Sequence, residues 1–170
     1  MEPETVCVTH GEVRATDIAW LAGLIDGEGY IGAHRPKGRR TCKVRFTIRM
    51  TCLKTIREAR DLVRKITGHK AKIRERAAND KHKAEYHFDL QRRGALSGLL
   101  ICLLPYLRTK KEHAECALPI LQREDRWRAE IPQWEEELYA RLRQLTKTGP
   151  QNPEPSRLPP EGVETVRASL

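Results

Sequence analysis

The sequence predicts an α+β domain in which helices cover one face of an antiparallel sheet. Three observations carry that expectation. Residues 43–50, KVRFTIRM, alternate strictly between polar and apolar side chains, the period of a half-buried strand. Segments before and after it place apolar residues three and four apart, the spacing of one helix face. Charge is also segregated along the chain. From His34 to Lys83 there are eighteen Lys/Arg against four Asp/Glu, a net of +14, whereas Glu112 to Ala140 carries eight acids and three bases, a net of −5.

Taken in order, Thr16 or Asp17 can N-cap a first helix that runs through Ile18 and Leu21 to Asp26. Gly29–His34 reads as a strand, followed by the turn Arg35-Pro36-Lys37-Gly38-Arg39-Arg40 and the strand Lys43–Met50. Ile56, Ala59, Leu62, Val63 and Ile66 have helical spacing and stop at Gly68. Two more strands follow. In one, Lys70, Lys72, Arg74 and Arg76 alternate with His69, Ala71, Ile73 and Glu75; in the other, Tyr86, Phe88 and Leu90 are the apolar set. Leu96–Leu104 is a short buried helix ended near Pro105, Glu112–Leu121 is another, and Trp134, Leu138, Leu142 and Leu145 mark an amphipathic fifth. The order is αββαββα with extra C-terminal helices. It divides the chain into an extension (1–15), a core (16–145) and a tail (146–170) of a proline-rich connector and a last helix at Glu161–Ser169.

Composition excludes several classes. The longest apolar run, Leu99–Leu104, falls far short of the roughly 20 residues of a membrane span. No basic segment followed by an apolar stretch marks a secretory leader. Five scattered cysteines without a CxxC pair argue against a disulfide framework or a zinc site. They favour a reducing compartment: a bacterial or archaeal cytoplasm, or an organelle interior.

The cations point to a polyanion. Lys43, Arg45, Arg49, Lys70, Lys72, Arg74 and Arg76 fall on the polar faces of two strands, with Thr47 the lone neutral member. That is a surface for nucleic acid rather than an ordinary mixed-sign face. His34, Arg35 and Lys37 would flank it, with Arg39 and Arg40 at the turn tip. Gly23 and Gly27 lie four apart on one helix face, where the absent side chains let a second backbone approach closely. Glu28, just beyond them, is a carboxylate suited to Mg²⁺, and Mn²⁺ or Ca²⁺ could occupy the same site.

The segment Leu21-Ala22-Gly23-Leu24-Ile25-Asp26-Gly27-Glu28-Gly29 resembles the signature of the LAGLIDADG homing endonucleases, with Glu28 in place of the final acid. Pro105-Tyr106-Leu107-Arg108-Thr109-Lys110-Lys111 and Glu164-Thr165-Val166-Arg167-Ala168 also resemble that family, in particular its single-motif, homodimeric, group-I-intron-encoded members. The resemblance implies a metal-dependent double-strand break in a long pseudo-palindromic duplex, across the minor groove, leaving 3′ overhangs. It implies Glu28 and the Gly27 carbonyl as metal ligands, Lys110 near the centre of the site, and Arg57 or Lys54 in the surrounding water network. Asp26 is expected to make local hydrogen bonds instead.

One motif per chain, against two strands to cut, implies a homodimer. Leu21, Gly23, Leu24 and Gly27 would form its interface. Two other readings fit the same resemblance: a maturase that binds intron RNA, and a DNA-binding regulator that has lost catalysis.

Overall fold

The computed structural model describes residues 10–80, 83–124 and 130–148. Its elements are α1 (Ala15–Glu28), β1 (Gly29–His34), β2 (Lys43–Met50), α2 (Leu53–Thr67), β3 (Arg74–Arg76), β4 (Glu85–Leu90), α3 (Arg93–Leu103), α4 (Lys111–Gln122) and α5 (Gln133–Thr148). This is the expected αββαββα order followed by additional helices. The helix expected at 161–169 lies outside the described residues.

The four strands form one antiparallel sheet in the order β1-β2-β4-β3. Ile31 stands opposite Phe46, and Ile48 opposite Phe88. Because side chains alternate across a strand, this register gathers Ile31, Ala33, Val44, Phe46, Ile48, Phe88 and Leu90 on one face, all buried. The Phe46 and Phe88 rings meet with centroids 6.4 Å apart, tilted by 49°. Ile18, Leu21, Ala22 and Ile25 of α1 complete the core with Ile56, Ala59, Val63 and Ile66 of α2 and Leu96, Leu99, Leu100 and Leu103 of α3. Each large aliphatic side chain buried here contributes about 1.5–3 kcal/mol. Among the described residues the opposite face of the sheet carries polar and charged side chains rather than a core.

Helices α4 and α5 pack on each other, and both reach β1. A polar lock fixes the corner they share. Arg123 Nη1 donates to Glu135 Oε2 at 2.7 Å, and the two side chains are 3% and 0% exposed. The Cys42 thiol donates to the other oxygen of Glu135 at 3.4 Å. Arg93, at the start of α3, donates to the Ile120, Leu121 and Arg123 carbonyls at the end of α4.

Several boundaries differ from expectation, each for a local reason. Helix α1 starts at Ala15, with Arg14 at the N-cap rather than Thr16 or Asp17. Asp17 works from inside the first turn: its Oδ2 accepts the Arg14 backbone N–H at 3.3 Å, and the Arg14 guanidinium closes the pair. An acid at this position satisfies a free N–H and suits the positive end of the helix. Strand β3 is only Arg74–Arg76, so Lys70 and Lys72 lie outside the ladder. Ala71 is buried and Ile73 packs on the core. The alternation at 69–76 therefore records burial, which a chain can achieve without backbone pairing to β4. Helix α5 runs to Thr148, past the expected start of the connector at 146.

Among the described residues Cys42, Cys52 and Cys116 are free thiols, whereas Cys102 is disulfide-bonded. No described helix is long and apolar enough to cross a membrane.

Candidate functional site

The uncovered face of the sheet is built by the same register that builds the core. Tyr30 of β1 stands opposite Thr47 of β2, which stands opposite Asp89 of β4. Arg49 stands opposite His87, which stands opposite Arg74 of β3. His34 pairs with Lys43, and Gly32 with Arg45. The Tyr30 ring lies over Gly32, where a Cβ would collide with its hydroxyl. Glu28, Tyr30, His34, Arg45, Thr47, Arg49 and Glu85 together line a groove of about 560 Å³. The groove thus runs from the end of α1 across the cation-bearing face.

Acids are set among these cations. Asp89 Oδ1 accepts from Arg45 Nε and Nη2 at 3.1 and 2.8 Å and from the Thr47 hydroxyl at 2.7 Å, while Oδ2 meets Arg74 Nη1 at 3.4 Å. Burial opposes the Asp89 charge, but the hydrogen bonds from Thr47 and Arg45 outweigh it and hold the carboxyl below the usual carboxylate range. Glu85 faces Arg49 more loosely, at 3.8 Å.

At the end of α1 the two acids of the motif separate in role. Asp26 accepts the backbone N–H groups of Arg108 and Lys110, each at 2.8 Å, so one carboxylate brackets the turn that leads into α4. Lys110 Nζ returns a bond to the Asp26 carbonyl at 2.7 Å. Burial pushes the Lys110 ammonium below the ordinary lysine value, against the opposing pull of Asp26 and Glu28. Glu28 itself is exposed at the mouth of the groove. Gly29 explains this sharp exit: a Cβ there would come within 2.7 Å of the Ile25 carbonyl oxygen.

The site residues read from the sequence fall into three groups. Glu28, Gly27 and Lys110 gather at the α1–α4 corner, and His34, Lys43, Arg45, Arg49, Arg74 and Arg76 share the open sheet face. Lys37, Arg39 and Arg40 are exposed on the β1–β2 turn. Lys70 and Lys72 are exposed but precede β3. Arg35 is drawn toward α5, where it bonds Glu136 at 2.7 Å and stacks 4.7 Å above the Tyr139 ring. Arg57 is exposed on α2, with no bond to the Glu28 corner. Of the expected pairing residues, Gly23 and Gly27 are exposed and Leu24 is half-buried. Leu21 is instead fully buried in the chain's own core, because it lies on the same side of α1 as Ile18 and Ile25. Thr47 is on the face the sequence predicts, whereas Asp89, Glu85 and Tyr30 are not among the site residues read from the sequence, and the strand register is what sets them beside its cations.

Could this corner hold a metal ion? Among the described residues no group of three or more His, Cys, Asp or Glu clusters together. One chain offers the Glu28 carboxylate and the Gly27 carbonyl, which lies in the last turn of α1, where carbonyls lack helical partners. Mg²⁺ is commonly bound through one or two carboxylates plus substrate phosphates, keeping several waters. The donor set fits an ion of that kind, and it does not form an all-protein cage.

No family model and no curated protein matches the chain in sequence. Solved structures do match it. The homing endonuclease I-CvuI, in complex with its target in the presence of Ca, superposes with a TM-score of 0.57 at 25% identity, covering 77% of this chain and 82% of that one. The LAGLIDADG meganuclease I-AabMI bound to uncleaved DNA gives 0.55 at 19% identity, covering 74% of this chain and 44% of that one. The meganuclease I-SmaMI bound to uncleavable DNA gives 0.51 at 14% identity, covering 79% and 45%. The chain therefore has the LAGLIDADG homing endonuclease fold.

Proposed function

We propose that the chain is a site-specific DNA endonuclease that works as a homodimer and hydrolyses one phosphodiester in each strand of a long duplex target. One observation carries the reading. The exposed Glu28 carboxylate sits at the end of a groove floored by the cation-bearing sheet face, beside the half-buried Lys110. The likeness to I-CvuI, which was crystallised with its target, supports it.

The residues have distinct tasks. Arg and Lys on β2 and β3 bind the duplex, some through phosphate and some through base edges. Glu28 and the Gly27 carbonyl would hold a divalent cation, which when bound supplies polarisation of a phosphoryl oxygen and stabilisation of the developing charge. Lys110, tied to the Asp26 carbonyl, adds a fixed positive charge next to that position. Asp26 keeps the α1 end and the α4 start in register.

The homodimer rests on α1. A Cβ added at Gly23 or Gly27 would meet nothing within 4 Å, so the chain's own packing does not require either glycine. Alanine would favour the helix by about 1 kcal/mol at each position. A second backbone packed against this exposed stripe accounts for both, and it would place two Glu28 carboxylates together at the centre of two joined sheets.

The test is direct. Incubate the full chain with a library of randomised duplexes and Mg²⁺, then sequence the ends produced. One long, roughly palindromic sequence cut in both strands is expected. Selective binding without new ends would overturn the endonuclease reading, and a preference for intron RNA over duplex would favour the maturase.

A further inference from the structure

We infer that Asp89 is a specificity-determining positioning residue, holding Arg45 as a fixed reader of one base while keeping phosphate away from the middle of the sheet. The inference rests on reading the open sheet face as the DNA-contacting surface, and it assigns a task within that face.

A carboxylate is a poor choice at the centre of a surface that only grips a polyanion, because it repels phosphate. Ion pairing for stability does not explain it either, since its arginine partners Arg45 and Arg74 are 40% and 63% exposed and pairs to such exposed cations contribute little. Yet the Asp89 side chain is only 11% exposed and is bonded from two strands: Arg45 and Thr47 on β2, and Arg74 on β3. What it does is fix a geometry. Asp89 Oδ1 takes the Nε–H and one Nη2–H of Arg45, which occupies one edge of the guanidinium. The outer edge keeps a two-donor fork of Nη1 and Nη2, the arrangement that matches O6 and N7 of guanine in the major groove.

Arg45 is still 40% exposed, so this fork is accessible. Its neighbour Arg49 is held differently, 3.8 Å from Glu85 and 52% exposed, as suits a mobile phosphate contact. Thr47, itself buried, adds a third bond that stops the Asp89 carboxylate from turning. The face thus contains one rigid arginine among looser cations.

The experiment selects binders from a randomised duplex library in Ca²⁺, using the full chain and its Arg45→Ala, Asp89→Ala and Asp89→Asn variants. The wild type is expected to select a consensus in which one G·C pair loses its preference in Arg45→Ala. The same pair should lose discrimination by roughly tenfold or more in Asp89→Ala. Asp89→Ala should also bind random-sequence duplex more tightly than the wild type, a gain that a purely structural role would not produce. Asp89→Asn keeps an acceptor for Arg45, so it should retain the preference at that pair while sharing the gain on random duplex. It also guards against a folding failure in the alanine variant.

The inference is overturned if Asp89→Ala keeps the full wild-type preference, or if it weakens specific and random binding alike. A consensus with no position sensitive to Arg45→Ala removes the reader assignment but leaves the DNA-contacting surface intact. A wild type that selects no duplex sequence removes both.

Discussion

Two acids at the end of α1, two residues apart, have opposite fates because of what their neighbours offer. Asp26 meets the two backbone N–H groups of the α4 turn and is consumed by them; Glu28 meets no such donors and stays open to the groove. Asp26→Ala leaves the Arg108 and Lys110 N–H groups without acceptors. It should lower stability by about 1–3 kcal/mol in denaturant unfolding. It should also slow cutting by loosening the turn that carries Lys110, with less effect on binding in Ca²⁺.

His113, on α4 beneath Lys110, offers a pH-dependent check. Burial pushes its imidazole below the ordinary value of about 6.5, and the Lys110 charge adds to the shift, opposed by the Leu145 carbonyl, Glu112 and Asp26. The folded chain therefore binds the proton less readily than the unfolded chain. Stability should fall as pH drops through the window just below about 6.5, and level off beneath the folded value. Unfolding midpoints across this window should show the slope in the wild type and lose it in His113→Gln. The motif at 21–29 points to Glu28 and the segment at 105–111 to Lys110, and the structure places the two at one corner. Asp89 was not legible, because its partners come from two other strands and depend on a register that no local pattern encodes.

Among the elements, the strands and helices with strong apolar periodicity are those the sequence reveals. KVRFTIRM is β2 to the residue, since one face is buried and a one-residue slip would turn every side chain over. Strand β3 is shorter than its alternation predicts for the converse reason: burial of Ala71 and Ile73 imitates strand alternation without a ladder. The docking of α5 was also hidden, because Arg123 and Glu135 read as surface charges until the fold buries them together. Their pair makes a sharp prediction. Arg123→Met strands a buried carboxylate and should cost about 3–5 kcal/mol, while Arg123→Met with Glu135→Leu should recover much of that loss. Denaturant titrations of the single and double variants decide it. Equal losses in both would show that packing rather than charge pairing holds the corner.

For the whole molecule, the overall charge of +9 understates the surface that matters. Lys43, Arg45, Arg49, Arg74 and Arg76 share one open sheet face, and the acidic stretch that offsets the cations forms much of α4 and α5, with Glu135 and Glu136 turned to arginines of the same chain. Duplex affinity should accordingly fall steeply with salt. Pairing through α1 would join two such faces into one saddle. Gly23→Leu, which is unopposed inside a single chain, should leave the fold intact but yield a monomer by sedimentation. Cleavage should disappear with the dimer. A monomeric wild type would contradict the paired arrangement.

The most direct measurement compares the wild type and Glu28→Gln on the sequence recovered from the cleavage library, with binding in Ca²⁺ and cutting in Mg²⁺ followed in parallel. Glu28→Gln should still bind that duplex, while its cutting rate drops by roughly a hundredfold or more. A variant that cuts both strands at the wild-type rate would rule out Glu28 as the carboxylate on which cleavage depends.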